Sequence, residues 1–221
     1  MTLQSNFEEA LLFRSCDKAV HDAAVNDGSI WLRSTHYYRG IEEDAARVDG
    51  NEGVNTIPHT FPLRFDRKIS SVTEISGDGR IGCEIRKAYI LSLHGTGIDV
   101  EVRNSFGTHM FGVKSLYSLV NDMIYQVSQQ VEVIGHRYGQ VSYQYTPLTI
   151  SRNETSSAIE LSRGVFLKSM TTDILRKAPV LPFIKQDEWR VAIFVKEYLN
   201  NNPLEPLKIK VNAQHFYSYE I

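Results

Sequence analysis

The sequence is poor in the residues that announce metal or disulfide chemistry. Cys16 and Cys83 are the only cysteines in 221 residues. Two thiols are too few for a disulfide framework or a thiolate zinc site, and they point to a reducing cytoplasm. The seven histidines, at 21, 36, 59, 94, 109, 136 and 215, include no His-x-x-x-His pair, so a zinc site has no local support. No stretch approaches the roughly 18 uninterrupted apolar residues that a membrane-crossing helix needs. The opening MTLQSNFEEALLF has no basic segment leading into a long apolar one, and neither export nor anchoring is expected from it. A strong charge of one sign is also missing: 24 basic against 26 acidic residues give a formal net charge of -2. That excludes a general nucleic-acid binder with a broadly basic surface, while leaving room for a local basic groove. There is no fixed-period repeat and no low-complexity segment.

What is present suits one large soluble domain over residues 1–221, with 42% hydrophobic and 23% charged residues to build a core and a surface. The first unit is an apolar run, ALLFRSC, then DKAVHDAAVND with Ala19, Ala23 and Ala24 on one helical stripe, then the strand SIWLRS. Asp17 and Gly28 read as its helix N-cap and C-terminal stop. A second helix is expected in RGIEEDAARV, with Ile41, Ala45 and Val48 inward. Residues 51–66 read as irregular. RKISSVTEI, RIGCEIR and KAYILSLHG read as strands, and KSLYSLVNDMIYQVSQQVEV as a core helix. A turn and strand follow in GHRYGQVSYQY, then a polar connection over 151–164, a helix in VFLKSMTTDILRK, and a last strand in PLKIKVN. Without a regular βαβ alternation, the class is α+β, with mixed, mostly antiparallel sheets and flanking helices.

The stretch FIKQDEWRVAIFV, residues 183–195, reads as a strand with an apolar face of Trp189, Val191, Ile193 and Val195. Its other face starts with Gln186, Glu188 and Arg190 before Ala192 and Phe194. A partly exposed ion pair between Glu188 and Arg190, or pairing of each with cross-strand charges, is one explanation of that polar start. A functional rim above a core strand is the other.

Polar residues interrupt apolar strands at three places: Arg14 after an aromatic, Ser34 with Thr35, and Gln186 with Glu188. In that order they resemble the Arg, Ser-Thr-Ser, Gln/Glu-x-Glu signature of the ADP-ribosyltransferase superfamily, with His36 standing where the signature has its second Ser. The resemblance implies a split sandwich of two sheets clamping NAD in a cleft. It implies that Arg14 contacts the NAD phosphate or ribose through its fork of donors, and that Ser34 orients the nicotinamide side and bonds the catalytic carboxylate. Glu188 would hold a ribose hydroxyl and stabilise the oxocarbenium charge as nicotinamide leaves, and Gln186 would help present the acceptor. Tyr37 or Tyr38 would offer a flat face to the nicotinamide ring, next to Thr35. The expected activity is ADP-ribosyl transfer to a macromolecular acceptor, protein or nucleic acid, or NAD hydrolysis, in a bacterial or phage toxin or defence effector. A layout of an apolar-Arg start, a Gly-bounded strand ending in Ser34, the middle LSLHG strand and a late Glu-x-Arg strand also resembles a widespread bacterial family of small proteins with no established activity, a likeness that supplies no chemistry. A second class of function therefore stays open, a non-catalytic nucleotide- or partner-binding module in defence or regulation.

Other features have plainer readings. Glu42, Glu43, Asp44, Asp49 and Glu52 read as a solvated helix face with Glu43 supporting Arg47. HGTG at 94–97 reads as a hairpin turn, and FGTHMFGVKS as a pocket wall or a turn of the chain.

Overall fold

The structure is a computed structural model that describes residues 10–40, 54–59, 63–66, 72–75, 79–84, 87–143, 149–150, 165–167, 170–171, 173–177, 181 and 183–220. It is a mixed α+β fold built on a mostly antiparallel sheet. The helix expected in RGIEEDAARV beyond Gly40, the acidic cluster within it, the turn SGDG up to Asp78 and the connection over 151–164 lie outside the described residues.

The main sheet has eight strands: β1 Leu12–Cys16, β2 Ser29–Ser34, β3 Ala88–His94, β4 His109–Val113, β5 Val133–Gln140, β6 Glu188–Val195, β7 Leu207–Lys210 and β8 Phe216–Tyr219. Among the described residues, four α-helices lie between them: α1 Lys18–Asp27, α2 Thr35–Gly40, α3 Val100–Ser105 and α4 Leu116–Ser128. Strand β6 takes one edge of β3 along its whole length, from Glu188↔His94 to Phe194↔Ala88, and β5 lies beyond it. A strand has only two edges, so β1 and β2 must share the other. They hold its opposite ends: β1 pairs at Phe13↔His94, β2 at Arg33↔Ile90 and Ser34↔Tyr89. The sheet therefore forks at the middle of β3. On the outer side of the fork, β1 pairs with β4 and β4 with β8, while β2 pairs with β7.

The alternation of β6 sorts its side chains as the sequence implies. Trp189, Val191, Ile193 and Val195 join the main core with Leu12, Leu32, Leu91 and the buried stripe of α4, Leu119, Val120, Met123 and Val127. Ala192 and Phe194 face a smaller cluster with Ile90, Ile174 and Tyr38. Ser115 starts α4 by accepting a hydrogen bond from the Ser118 N–H, the cap that a helix N-terminus needs.

Several sequence expectations are corrected. VFLKSMTTDILRK is not a helix: it contains the short strands Val165–Leu167, Met170–Thr171 and Arg176–Lys177. Asp173 stops helical continuation there, because its side chain accepts the Leu175 N–H and its carbonyl the Arg176 N–H, forming a turn. Residues 51–66 contain strands Val54–His59 and Leu63–Asp66, paired with Gly79–Glu84 and with Val72–Ile75. FGTHMFGVKS holds β4, an inner strand between β1 and β8, and the last strand is Phe216–Tyr219 rather than PLKIKVN.

Gly28 ends α1 as expected. It sits at φ 68, its N–H reaches Ala24 O, and its carbonyl accepts the Val211 N–H at 2.9 Å. An added Cβ would stand 1.9 Å from the Val211 carbonyl oxygen. Gly28→Ala should therefore destabilise the protein by well over ~1 kcal/mol, combining left-handed strain with a backbone clash. Urea unfolding of the two proteins checks this, and an unchanged midpoint would contradict it.

Candidate functional site

A cavity of about 430 Å³ opens at the fork of the sheet, a size that suits a small organic ligand. Helix α1, which links β1 to β2, contributes Ala19, Val20 and Ala23 to its wall. From β2 and α2 come Trp31, Arg33, Tyr37 and Tyr38; from β3, Ser92 and His94; from β1, Arg14 and Ser15; from β6 and the chain before it, Gln186, Glu188 and Arg190, with Lys177 nearby. Four cations and one carboxylate line this space, a local charge of +3 in a chain whose net charge is -2. Arg33 lies over the Tyr37 ring at 4.1 Å, a cation stacked on an aromatic face.

The polar end of β6 is not the partly exposed pair that one reading of the sequence suggests. Glu188 is 5% exposed, Arg190 2% and Lys177 7%. Arg190 grips Glu188 with two nitrogens, Nε to Oε1 at 2.6 Å and Nη2 to Oε2 at 3.3 Å. Lys177 Nζ lies 2.9 Å from Oε2, and Ser92 Oγ donates to Oε1 at 2.9 Å. Arg190 Nη1 donates to the Ile174 carbonyl. Lys177 also bonds Gln186 Oε1 at 3.2 Å and lies over the Phe183 ring. Burial alone would raise the Glu188 pKa, but the charges of Arg190 and Lys177 overcome it and hold the value down to about 2. The neighbouring Tyr143, whose oxygen accepts the Glu188 N–H, is pushed up to about 12, mainly by burial.

Gln186 reaches the cavity by a different route from the one its spacing suggests. Phe183–Gln186 is a 3₁₀ turn, and the strand begins only at Glu188. Asp187 stands between them at φ 41, in the left-handed region that Asp tolerates better than most residues. Three bonds hold it there. Its carbonyl accepts the Gly95 N–H at 3.0 Å, and its carboxylate accepts the Gly97 N–H at 2.8 Å and Gln140 Nε2 at 3.0 Å. Gly95 permits this close approach, since a Cβ there would lie 2.3 Å from Asp187 Oδ2. HGTG is thus not a hairpin: it carries β3 into α3, capped by Asp99, and clasps Asp187 on the way.

Of the residues singled out by sequence, the structure brings Arg14, Tyr37, Tyr38, Gln186 and Glu188 to one cavity. Ser34 and Thr35 are not in its lining. Ser34 Oγ donates to the Pro203 carbonyl and accepts the Tyr37 N–H at 3.0 Å, so it fixes the start of α2. Thr35 is buried with its hydroxyl 3.4 Å from the Tyr198 hydroxyl. The sequence reading missed Arg33, Ser15, Ser92, His94 and Lys177. Ser92 and His94 were visible as polar interruptions of an apolar strand at period two, the same signal that drew attention to Glu188. Lys177 carried no such signal, because the wrong element was assigned to it. Among the described residues, no group of three or more His, Cys, Asp and Glu side chains is placed to hold a metal ion. No helix among them is long and apolar enough to cross a membrane.

The depressed pKa of Glu188 makes the charged cluster a pH-dependent source of stability. The carboxyl is ionised in the folded protein down to about 2 but takes up its proton near 4.5 when unfolded. Its contribution is fully present above about pH 4.5 and is lost as the pH falls from there toward about 2, on the order of 3 kcal/mol in all. Glu188→Gln should lower stability at neutral pH and flatten the decline on the acid side. Urea midpoints measured from pH 7 to pH 2 test this, and parallel curves for the two proteins would show that the cluster is not responsible. Comparisons with protein-family models, with curated proteins and with solved structures found no match to this chain.

Proposed function

We propose that the cavity binds NAD, and that the protein transfers ADP-ribose from it to a macromolecular acceptor or hydrolyses it. One observation carries this reading: four cationic and several aromatic residues line a space of about 430 Å³ in an otherwise slightly acidic chain. Phosphate oxygens match guanidinium forks, and planar rings match aromatic faces. Within that site, Arg14 and Arg33 are the candidates for pyrophosphate contacts, and Tyr37 and Tyr38 for stacking on nicotinamide. The forked sheet supports the split-sandwich likeness to ADP-ribosyltransferases. The chemistry asked of Glu188 is modest. The C–N glycosidic bond breaks with its electron pair leaving on nicotinamide, and a fixed anion offsets the positive charge left on the ribose carbon. Gln186, bonded to Lys177 beside it, would present the acceptor.

A specific observation favours the second reading, a binding module without turnover. A carboxylate offers about four lone-pair sites, and Glu188 already meets four donors, two from Arg190 and one each from Lys177 and Ser92. A ribose hydroxyl would have to displace one of them, and Ser92 is the only uncharged member. Nicotinamide release and calorimetric titration with NAD separate the readings. The enzyme reading expects release by wild type and a loss of about a hundredfold or more in Glu188→Gln with NAD affinity retained. Arg14→Ala should weaken NAD binding about tenfold or more, as a lost charge-assisted contact would. NAD binding with no release assigns the protein to the module class, and absence of both removes NAD from consideration.

A further inference from the structure

One polar pair in the cavity wall is given no part in the nucleotide reading above. Ser15 on β1 and His94 at the end of β3 meet where those strands pair, and Ser15 Oγ lies 3.0 Å from His94 Nε2. The other ring nitrogen, Nδ1, lies 3.0 Å from the Gly95 carbonyl oxygen, which can only accept. Nδ1 therefore carries the proton, and in the neutral ring Nε2 is a lone pair directed at the serine hydroxyl. Phe13 stacks against the imidazole with centroids 6.1 Å apart and helps fix its plane. Both residues are buried, at 6% and 5% exposure, and both border the cavity. A hydroxyl, a base within hydrogen-bond reach and a third group orienting the base are the three parts of an activated nucleophile.

We propose that Ser15 is a nucleophile activated by His94, and that the cavity hydrolyses carboxylic esters that carry an anionic group. Ser15 Oγ attacks the ester carbonyl while its proton passes to His94 Nε2. The carbon–oxygen bond to the alcohol then breaks, and His94 returns the proton to the departing alkoxide. Water then gives a proton to His94 as its oxygen attacks the acyl carbonyl, the bond from that carbon to Ser15 Oγ breaks, and Ser15 Oγ takes the proton back from His94, so the net reaction is ester plus water to acid plus alcohol. The cationic lining favours both an anionic substrate and the negative charge on the tetrahedral carbonyl oxygen. The surroundings keep His94 a base at neutral pH. Burial lowers its pKa, opposed by the Gly95 carbonyl and by Asp187 before β6, and assisted by Arg103 of α3. Glu188, its register partner on β6, has its own charge met by Arg190 and Lys177.

The test needs no nucleotide, so it is independent of the NAD reading. Wild type is treated with a fluorophosphonate probe and the adduct is mapped by peptide mass spectrometry. Turnover of p-nitrophenyl acetate is compared with that of the anionic half-ester mono-p-nitrophenyl succinate. The expected result is one adduct on Ser15, none in Ser15→Ala, formation about a hundredfold slower in His94→Gln, and preference for the anionic ester. Circular dichroism establishes that both variants fold. If His94→Gln does not fold, the wild-type pH profile decides the point. A labelling rate that is flat through neutral pH and falls only on the acid side of the ordinary histidine range supports the histidine base. A rate that climbs steadily with hydroxide overturns it. No adduct in wild type, an adduct elsewhere, or equal rates in folded His94→Gln also overturns the proposal.

Discussion

The buried cluster of Glu188, Arg190 and Lys177 is the constraint around which the site is arranged. Three charges taken out of water carry a large desolvation penalty, and they are stable only because each meets partners at close range. The cluster ties the start of β6 to Ile174 and Lys177 in a short segment that is not part of the main sheet, and to Ser92 on β3. It holds a net positive charge, since two cations face one anion. That surplus sits at the cavity wall and adds to Arg14 and Arg33 on the other strands. The same interactions that fix the segment in place therefore also set the sign of the ligand the cavity can accept.

The cavity exists because two strands compete for one edge of β3. Strand β6 occupies the whole of the opposite edge, and β1 and β2 each keep only one end of the remaining one. The right-handed twist of neighbouring strands carries them apart from there. Helix α1 joins the two strands across the gap, and it suits that position because Ala19 and Ala23 leave room where larger side chains would fill it. Its Ala24 turns into the main core, so one short helix both roofs the opening and anchors to the sheet.

Much of the fold was legible where one periodicity dominated. The α4 stripe, the Gly28 stop of α1 and the two faces of β6 follow directly from residue spacing. The site was legible only in part. Arg14 and Glu188 line one cavity, but Ser34 uses its hydroxyl on backbone groups, one of them on Pro203 far along the chain. No local pattern reveals such a partner. Lys177 was hidden for a related reason. A run that alternates weakly reads as helix until the turn at Asp173 is known, and that turn depends on a side chain bonding its own backbone. Gln186 arrived in the cavity through the reversal at Asp187, although its i, i+2 spacing to Glu188 suggested a shared strand face.

Asp187 joins the two polar centres of the cavity. On one side, its left-handed backbone turns the chain so that Gln186 and Glu188 both face inward. On the other, its carbonyl anchors the Gly95 N–H, and Gly95 in turn offers the carbonyl that sets the His94 tautomer. A carbonyl orients the imidazole without supplying the full negative charge that would raise its basicity. The partial field of Asp187 must then compete with burial, and burial prevails. His94 is thereby kept neutral next to a strongly cationic wall, with a lone pair available to Ser15. Had a carboxylate replaced the Gly95 carbonyl, it would have lowered the positive potential of the cavity as well as raising the basicity of the ring. The backbone acceptor allows a neutral base and an anion-attracting pocket to occupy the same fork of the sheet.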